Sequence, residues 1–101
     1  MNKRKELHEL LENVIGNSNV YYQPPASITM QYPAIVYSRS NIDNTHAENK
    51  IYKQTYAYDV IVIDYVADSE IVAKVAKLPY CSFNRHYTSD NLYHDSFTIY
   101  Y

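Results

Sequence analysis

Between Ile51 and Val66 the chain alternates with a period of two. One face carries Tyr52, Gln54, Tyr56, Tyr58, Val60 and Val62; the other carries Lys53, Thr55, Ala57 and Asp59, then turns apolar at Ile61 and Ile63. This β-branched and aromatic alternation predicts a strand over 51–66, long for a chain of this size. From Val60 to Ile63 both faces are apolar, as in a central strand covered on both sides. The first half has one aromatic and one polar face, and is expected to project past the core as a surface for another subunit.

Helical spacing appears twice. Leu7, Leu10, Leu11 and Val14 form one apolar stripe, predicting a helix over Asn2–Ile15 with Gly16 as its left-handed cap. Lys3, Arg4 and Lys5 fall in its first turn, where the helix dipole disfavours cations, and read as a solvated end. Ile71, Val72, Val75 and Leu78 form the second stripe, with Asp68 as expected N-cap and Pro79 as the stop. Strands are expected at Asn19–Gln23, Ala34–Ser40, Tyr80–Tyr87 and Leu92–Tyr101, the last two joined by a turn over Thr88–Asn91. Asn41–Lys50 is polar, rich in Asn and Asp, and reads as an extended hairpin tip. The order is α-β-β-β-α-β-β. It predicts a single α+β domain over 1–101: a mixed, mostly antiparallel sheet of four to five strands, with two helices on one face.

Composition narrows the function classes. With 101 residues the chain forms one domain, which buries roughly two-thirds of its unfolded surface. Thirteen tyrosines and no tryptophan favour strands that are half core and half interface, since Tyr joins apolar area to a polar tip. A formal charge of −2 provides no basic field for nucleic acid. The single cysteine rules out an internal disulfide, and the single glycine rules out glycine-rich phosphate loops. No apolar run approaches a membrane span, and the charged start lacks the apolar region of a signal peptide.

Candidate chemistry is sparse. Cys81 and His86 are five residues apart and would point to opposite faces of a continuous strand, so Cys81 reads as a small buried hydrophobe. His86 and His94 would face each other if the hairpin loop held three residues. A zinc site needs further ligands, and Asp95 alternates away from His94, so the pair reads as surface imidazoles. Asp59, Asp64 and Asp68 fall on different faces and elements, without convergence for acid–base or magnesium chemistry. No catalytic residue, metal or cofactor is expected.

Three blocks, Val20-Tyr21-Tyr22-Gln23-Pro24-Pro25, Tyr32-Pro33-Ala34-Ile35-Val36-Tyr37 and Leu78-Pro79-Tyr80-Cys81-Ser82-Phe83, resemble the small neck proteins of long-tailed bacteriophages. The run from Arg85-His86-Tyr87 through Asp90-Asn91-Leu92 to Phe97-Thr98-Ile99-Tyr100-Tyr101 adds to the likeness, which covers nearly the whole chain. The chain looks like the tail terminator, or tail completion, group. The resemblance implies a virion protein assembled in the host bacterial cytoplasm: a non-catalytic, cofactor-free subunit of a six-fold ring on the tail tube. Such a ring stops tube growth, offers its other face to the head connector, and lets DNA pass through its lumen without specific binding. A head-side stopper or adaptor is the neighbouring alternative, and a small metal-binding enzyme using His86 and His94 a more distant one.

A ring needs two different complementary patches. One candidate patch is Arg39, Asn41, Asp43, Asn44, Asn49 and Lys50 with the aromatic face Tyr52, Tyr56 and Tyr58; the other is the terminal hairpin around His86, Asp90 and His94.

Overall fold

The computed structural model describes residues 3–25, 27–47 and 50–101, and the side chains of 4–25, 27–42 and 55–101. The elements follow in the order α1 (Lys3–Ile15), β1 (Val20–Tyr22), β2 (Ala34–Ala47), β3 (Lys50–Asp64), α2 (Glu70–Ala76), β4 (Cys81–Ser89) and β5 (Leu92–Tyr100). This is the α+β order that the periodicity predicts. The five strands form one mixed sheet in the order β1-β2-β3-β5-β4. Only β1 and β2 run parallel; the other neighbours are antiparallel.

The core lies between the helices and one sheet face. Leu7 and Leu11 from α1 and Val75 from α2 pack with Val20, Ile35, Tyr37, Tyr58, Val60, Val62, Phe97 and Ile99. Both helices therefore cover the even face of β3. On the other face Ile61 stays half-buried, whereas Ile63 and Ala34 are closed off. The β1–β2 connection is held by the Gln31 N–H, which donates to Tyr21 Oη at 3.2 Å, and by Tyr32 edge-on to Tyr65.

Local chemistry sets the element ends. Gly16 takes φ +80° and its N–H donates to the Glu12 carbonyl at 2.9 Å, closing α1 with a left-handed cap. The N-cap of α2 is Ser69 rather than Asp68: its Oγ accepts from the Ile71 N–H at 3.2 Å and donates to Asp64 Oδ2 at 2.6 Å. A shorter hydroxyl, already fixed by the end of β3, takes the role expected of the carboxylate. Asp90 and Asn91 both have positive φ, 53° and 63°, which makes a two-residue type I′ hairpin between β4 and β5.

The largest departure from expectation is at 41–50. Rather than a loop, β2 runs on to Ala47 and β3 begins at Lys50, so the two strands pair through almost the whole segment. The last β5 residue in register with β3 is Tyr100, opposite Ala57, and the Tyr101 N–H adds one more bond to the Tyr56 carbonyl. Beyond that point β2 and β3 continue as a two-stranded arm. A register shift between Arg39 and Asn41 places a bulge at Ser40, whose Oγ donates to the Ala57 carbonyl at 3.2 Å. The molecule measures 51 × 25 × 23 Å with a radius of gyration of 14.7 Å. A compact chain of this length has about 13 Å.

Candidate subunit interface

At the base of the arm, four tyrosines cross the helix-covered face in a row. Ring centroids are 4.9 Å apart for Tyr22 and Tyr37, 6.0 Å for Tyr37 and Tyr58, and 6.4 Å for Tyr58 and Tyr56. A cation sits at each end: the Arg4 guanidinium 4.5 Å above Tyr22, and that of Arg39 5.8 Å from Tyr56. The row continues from core to surface. Tyr37 and Tyr58 are each 1% exposed, whereas Tyr56 is half-buried and Arg39 exposed. Burial raises the pKa of both inner phenols above the ordinary 10.0; at Tyr37 the hydrogen-bonded Arg4 pulls partly the other way. Tyr37 Oη also lies 2.7 Å from His8 Nδ1, which ties α1 to the middle of the sheet.

Tyr58, expected at a subunit contact, is therefore a core residue of the monomer. Arg39 and Tyr56 do lie where the arm leaves the sheet, and Asn41 is exposed there, opposite Ala57. Asn49 lies outside the described residues, as do the side chains of Asp43, Asn44, Lys50 and Tyr52. Backbone register still places Asp43 opposite Thr55, Asn44 opposite Gln54 and Lys50 opposite Ala47, all on the arm.

The terminal hairpin forms the other edge of the sheet. Because its loop has two residues, His94 pairs with Tyr87, on which it stacks at 4.9 Å, and its Nδ1 lies 3.1 Å from the Leu92 carbonyl oxygen. His86 instead pairs with Asp95, with Nδ1 2.8 Å from Oδ1. The expected facing of His86 and His94 fails by one residue of loop length. A second register shift, between Phe83 and Arg85, also changes the parity of β4. Cys81 and His86 thus share the helix-side face, contrary to the continuous-strand expectation. They remain four ladder positions apart, about 13 Å at ~3.3 Å per residue. Burial pushes the half-buried Cys81 thiol up.

Asp95 is 6% exposed and holds the His86 imidazole at the wall of an open groove of about 590 Å³ between α2 and the β4–β5 hairpin. Asp68, Glu70, Ala73 and Ala76 line its helix side. The arrangement orients an imidazole, but Ser69, the hydroxyl lining this groove, is already committed to Asp64 and to the helix cap. Among the described residues, no three His, Cys, Asp or Glu side chains converge on a metal-sized site, and no helix is long and apolar enough to cross a membrane.

Sequence reasoning missed three exposed aromatics on β4, on β5 and just before β4. Tyr80 is 80% exposed with φ 56°, Phe83 is 56% exposed, and Tyr100 is 42% exposed. Phe83 rests edge-on against buried Phe97 with its other side open, because β4 ends the sheet. Strand order alone creates this exposure, and the local sequence carries no sign of it. The expected patches thus divide across the sheet: the arm residues on the β2 side, His86 on the edge strand β4 with Asp90 in its turn, and His94 one strand in, on β5. Set beside known proteins, the chain matches no family and no curated sequence.

Proposed function

We propose that this chain is a structural subunit that assembles into a ring at the end of the tail tube of a long-tailed bacteriophage, as a tail terminator does. The ring stops tube growth on one face and meets the head connector with the other. The observation that carries this reading is the β2–β3 arm. A two-stranded ribbon is marginally stable alone, and open strand edges are usually guarded or covered. This arm stands clear of the sheet, with Ile42 39% exposed and an Arg39–Tyr56 pair at its root. Cover from a neighbouring copy accounts for both.

The resemblance to terminators supports the same reading from the sequence side. Its blocks fall on β1 and its exit, the entry to β2, the turn into β4 and the terminal hairpin, which together form the scaffold that carries the arm and the opposite edge. A chain with net charge −2 also suits a lumen that DNA must cross without binding.

Native mass spectrometry and negative-stain imaging over a wide concentration range, with and without isolated tail tubes, test the proposal. Closed rings, six-fold above all, or caps on tube ends are the expected result. A protein that stays monomeric throughout and leaves tube ends bare overturns it. Antibody labelling of separated heads and tails fixes the position in the neck: label confined to heads reassigns the ring to a stopper or adaptor.

A further inference from the structure

Resting on the ring reading, we infer that neighbouring copies join by strand pairing: the outer edge of β4 in one copy lies antiparallel against the outer edge of β2, from Ile42 to Ala47, in the next. In the order β1-β2-β3-β5-β4, β4 closes one side of the sheet. On the other side β1 reaches only from Val20 to Tyr22, opposite Ile35 to Tyr37. Among the described residues no strand flanks β2 on that side from Ile42 on. Contact between two opposite edges of one sheet is head-to-tail by construction, as a ring requires.

Strand direction agrees. β2, β3, β5 and β4 alternate in direction, so β4 beside the next copy's β2 continues the antiparallel alternation without a reversal. Apart from the shift between Phe83 and Arg85, β4 lacks the usual guards of a free edge: its nine residues include no proline and no lysine. Because the arm stands beyond the level of β4, each pairing steps a copy along the strand direction. Tilted strands absorb such a stagger in a sheared barrel.

The hydrogen-bond phase shows which β4 amides face out. The Tyr100 N–H bonds the Tyr80 carbonyl, and alternation then turns the amides of Cys81, Phe83, His86 and Thr88 away from β5. Thr88→Pro removes an outward donor while sparing the β4–β5 ladder. It is expected to raise the concentration for half-assembly at least tenfold, with unchanged circular dichroism of the monomer. Independently, a Cys81→Ser chain carrying both Asn44→Cys and Thr88→Cys should oxidise into a covalent ladder that ends at the ring size, which neither single cysteine produces. Rings that form normally in Thr88→Pro, with no ladder from the double-cysteine chain, overturn the edge pairing and leave the ring standing. If Thr88→Pro misfolds, the ladder decides alone. Wild-type protein that never assembles, with or without tail tubes, overturns both.

Discussion

At the scale of single residues, backbone conformation and burial give the sharpest expectations. Gly16 has open space where a Cβ would go, so its constraint is φ +80° alone. Gly16→Ala is expected to cost about 1 kcal/mol in urea unfolding, through strain rather than overlap. The buried tyrosines give a pH signature. Tyr37 and Tyr58 titrate above 10.0 in the native state, so above that pH the unfolded chain loses protons that the native chain keeps. Fewer protons on the unfolded state means that stability falls as pH rises. Thermal unfolding midpoints should therefore drop from about pH 10 upward and be unaffected by these two groups below it. In the native protein, tyrosinate absorbance should show a late-titrating fraction. Gly16 was legible because a lone glycine followed an apolar stripe. The contact of His8 with Tyr37 joins residues 29 apart and leaves no local mark.

Among the elements, both helices and all five strands announced themselves by periodicity, and their ends shifted where side-chain hydrogen bonds decided. Ser69 is the clearest case. It is 7% exposed and joins β3 to α2 through Asp64. Ser69→Ala removes the cap and a partner of Asp64 together, with an expected loss of about 1–2 kcal/mol in chemical denaturation. The arm escaped the sequence for a physical reason. A ribbon standing clear of the core need not bury one face, so its residues need not alternate between polar and apolar. Without that alternation, Asn41 to Lys50 reads like a loop although its backbone pairs throughout most of its length. The His86–Asp95 contact was hidden by a small integer: one residue of turn length decides which side chains meet across the hairpin.

For the whole molecule, the proposed ring assigns folding to the sheet and its helices and assembly to the arm. Among the described side chains, the core cluster lies between the sheet and its helices and takes no member from 41, 42 or 55. Replacing 40–57 by Asn-Gly joins Arg39 to Tyr58, which are already opposite each other, through a two-residue hairpin. The shortened chain is expected to fold with a cooperative thermal transition and to lose assembly. Its radius of gyration in solution scattering should fall from 14.7 Å to about 12 Å, the value for a compact chain of that length. An unfolded product would show instead that the arm belongs to the core. The residues of both expected patches were chosen from local sequence; their placement on opposite sheet edges depends on strand order, which pairing alone reveals.

In the proposed ring, the bulge at Ser40 has a consequence for stoichiometry. Arg39 already faces Tyr58 and Asn41 already faces Ala57, so Ser40 is surplus to the ladder. Removing it leaves every cross-strand partner in place and takes out the Ser40 hydroxyl's bond to the Ala57 carbonyl together with the local bend and extra twist that a bulge adds. The arm would keep its chemistry and change its aim. In a head-to-tail assembly the aim of the connecting element sets the rotation from one copy to the next. Deletion of Ser40 should accordingly yield particles with a different number of copies, or an open spiral, visible by electron microscopy. The subunit count of the ring would then reside in one surplus residue at the root of a ribbon.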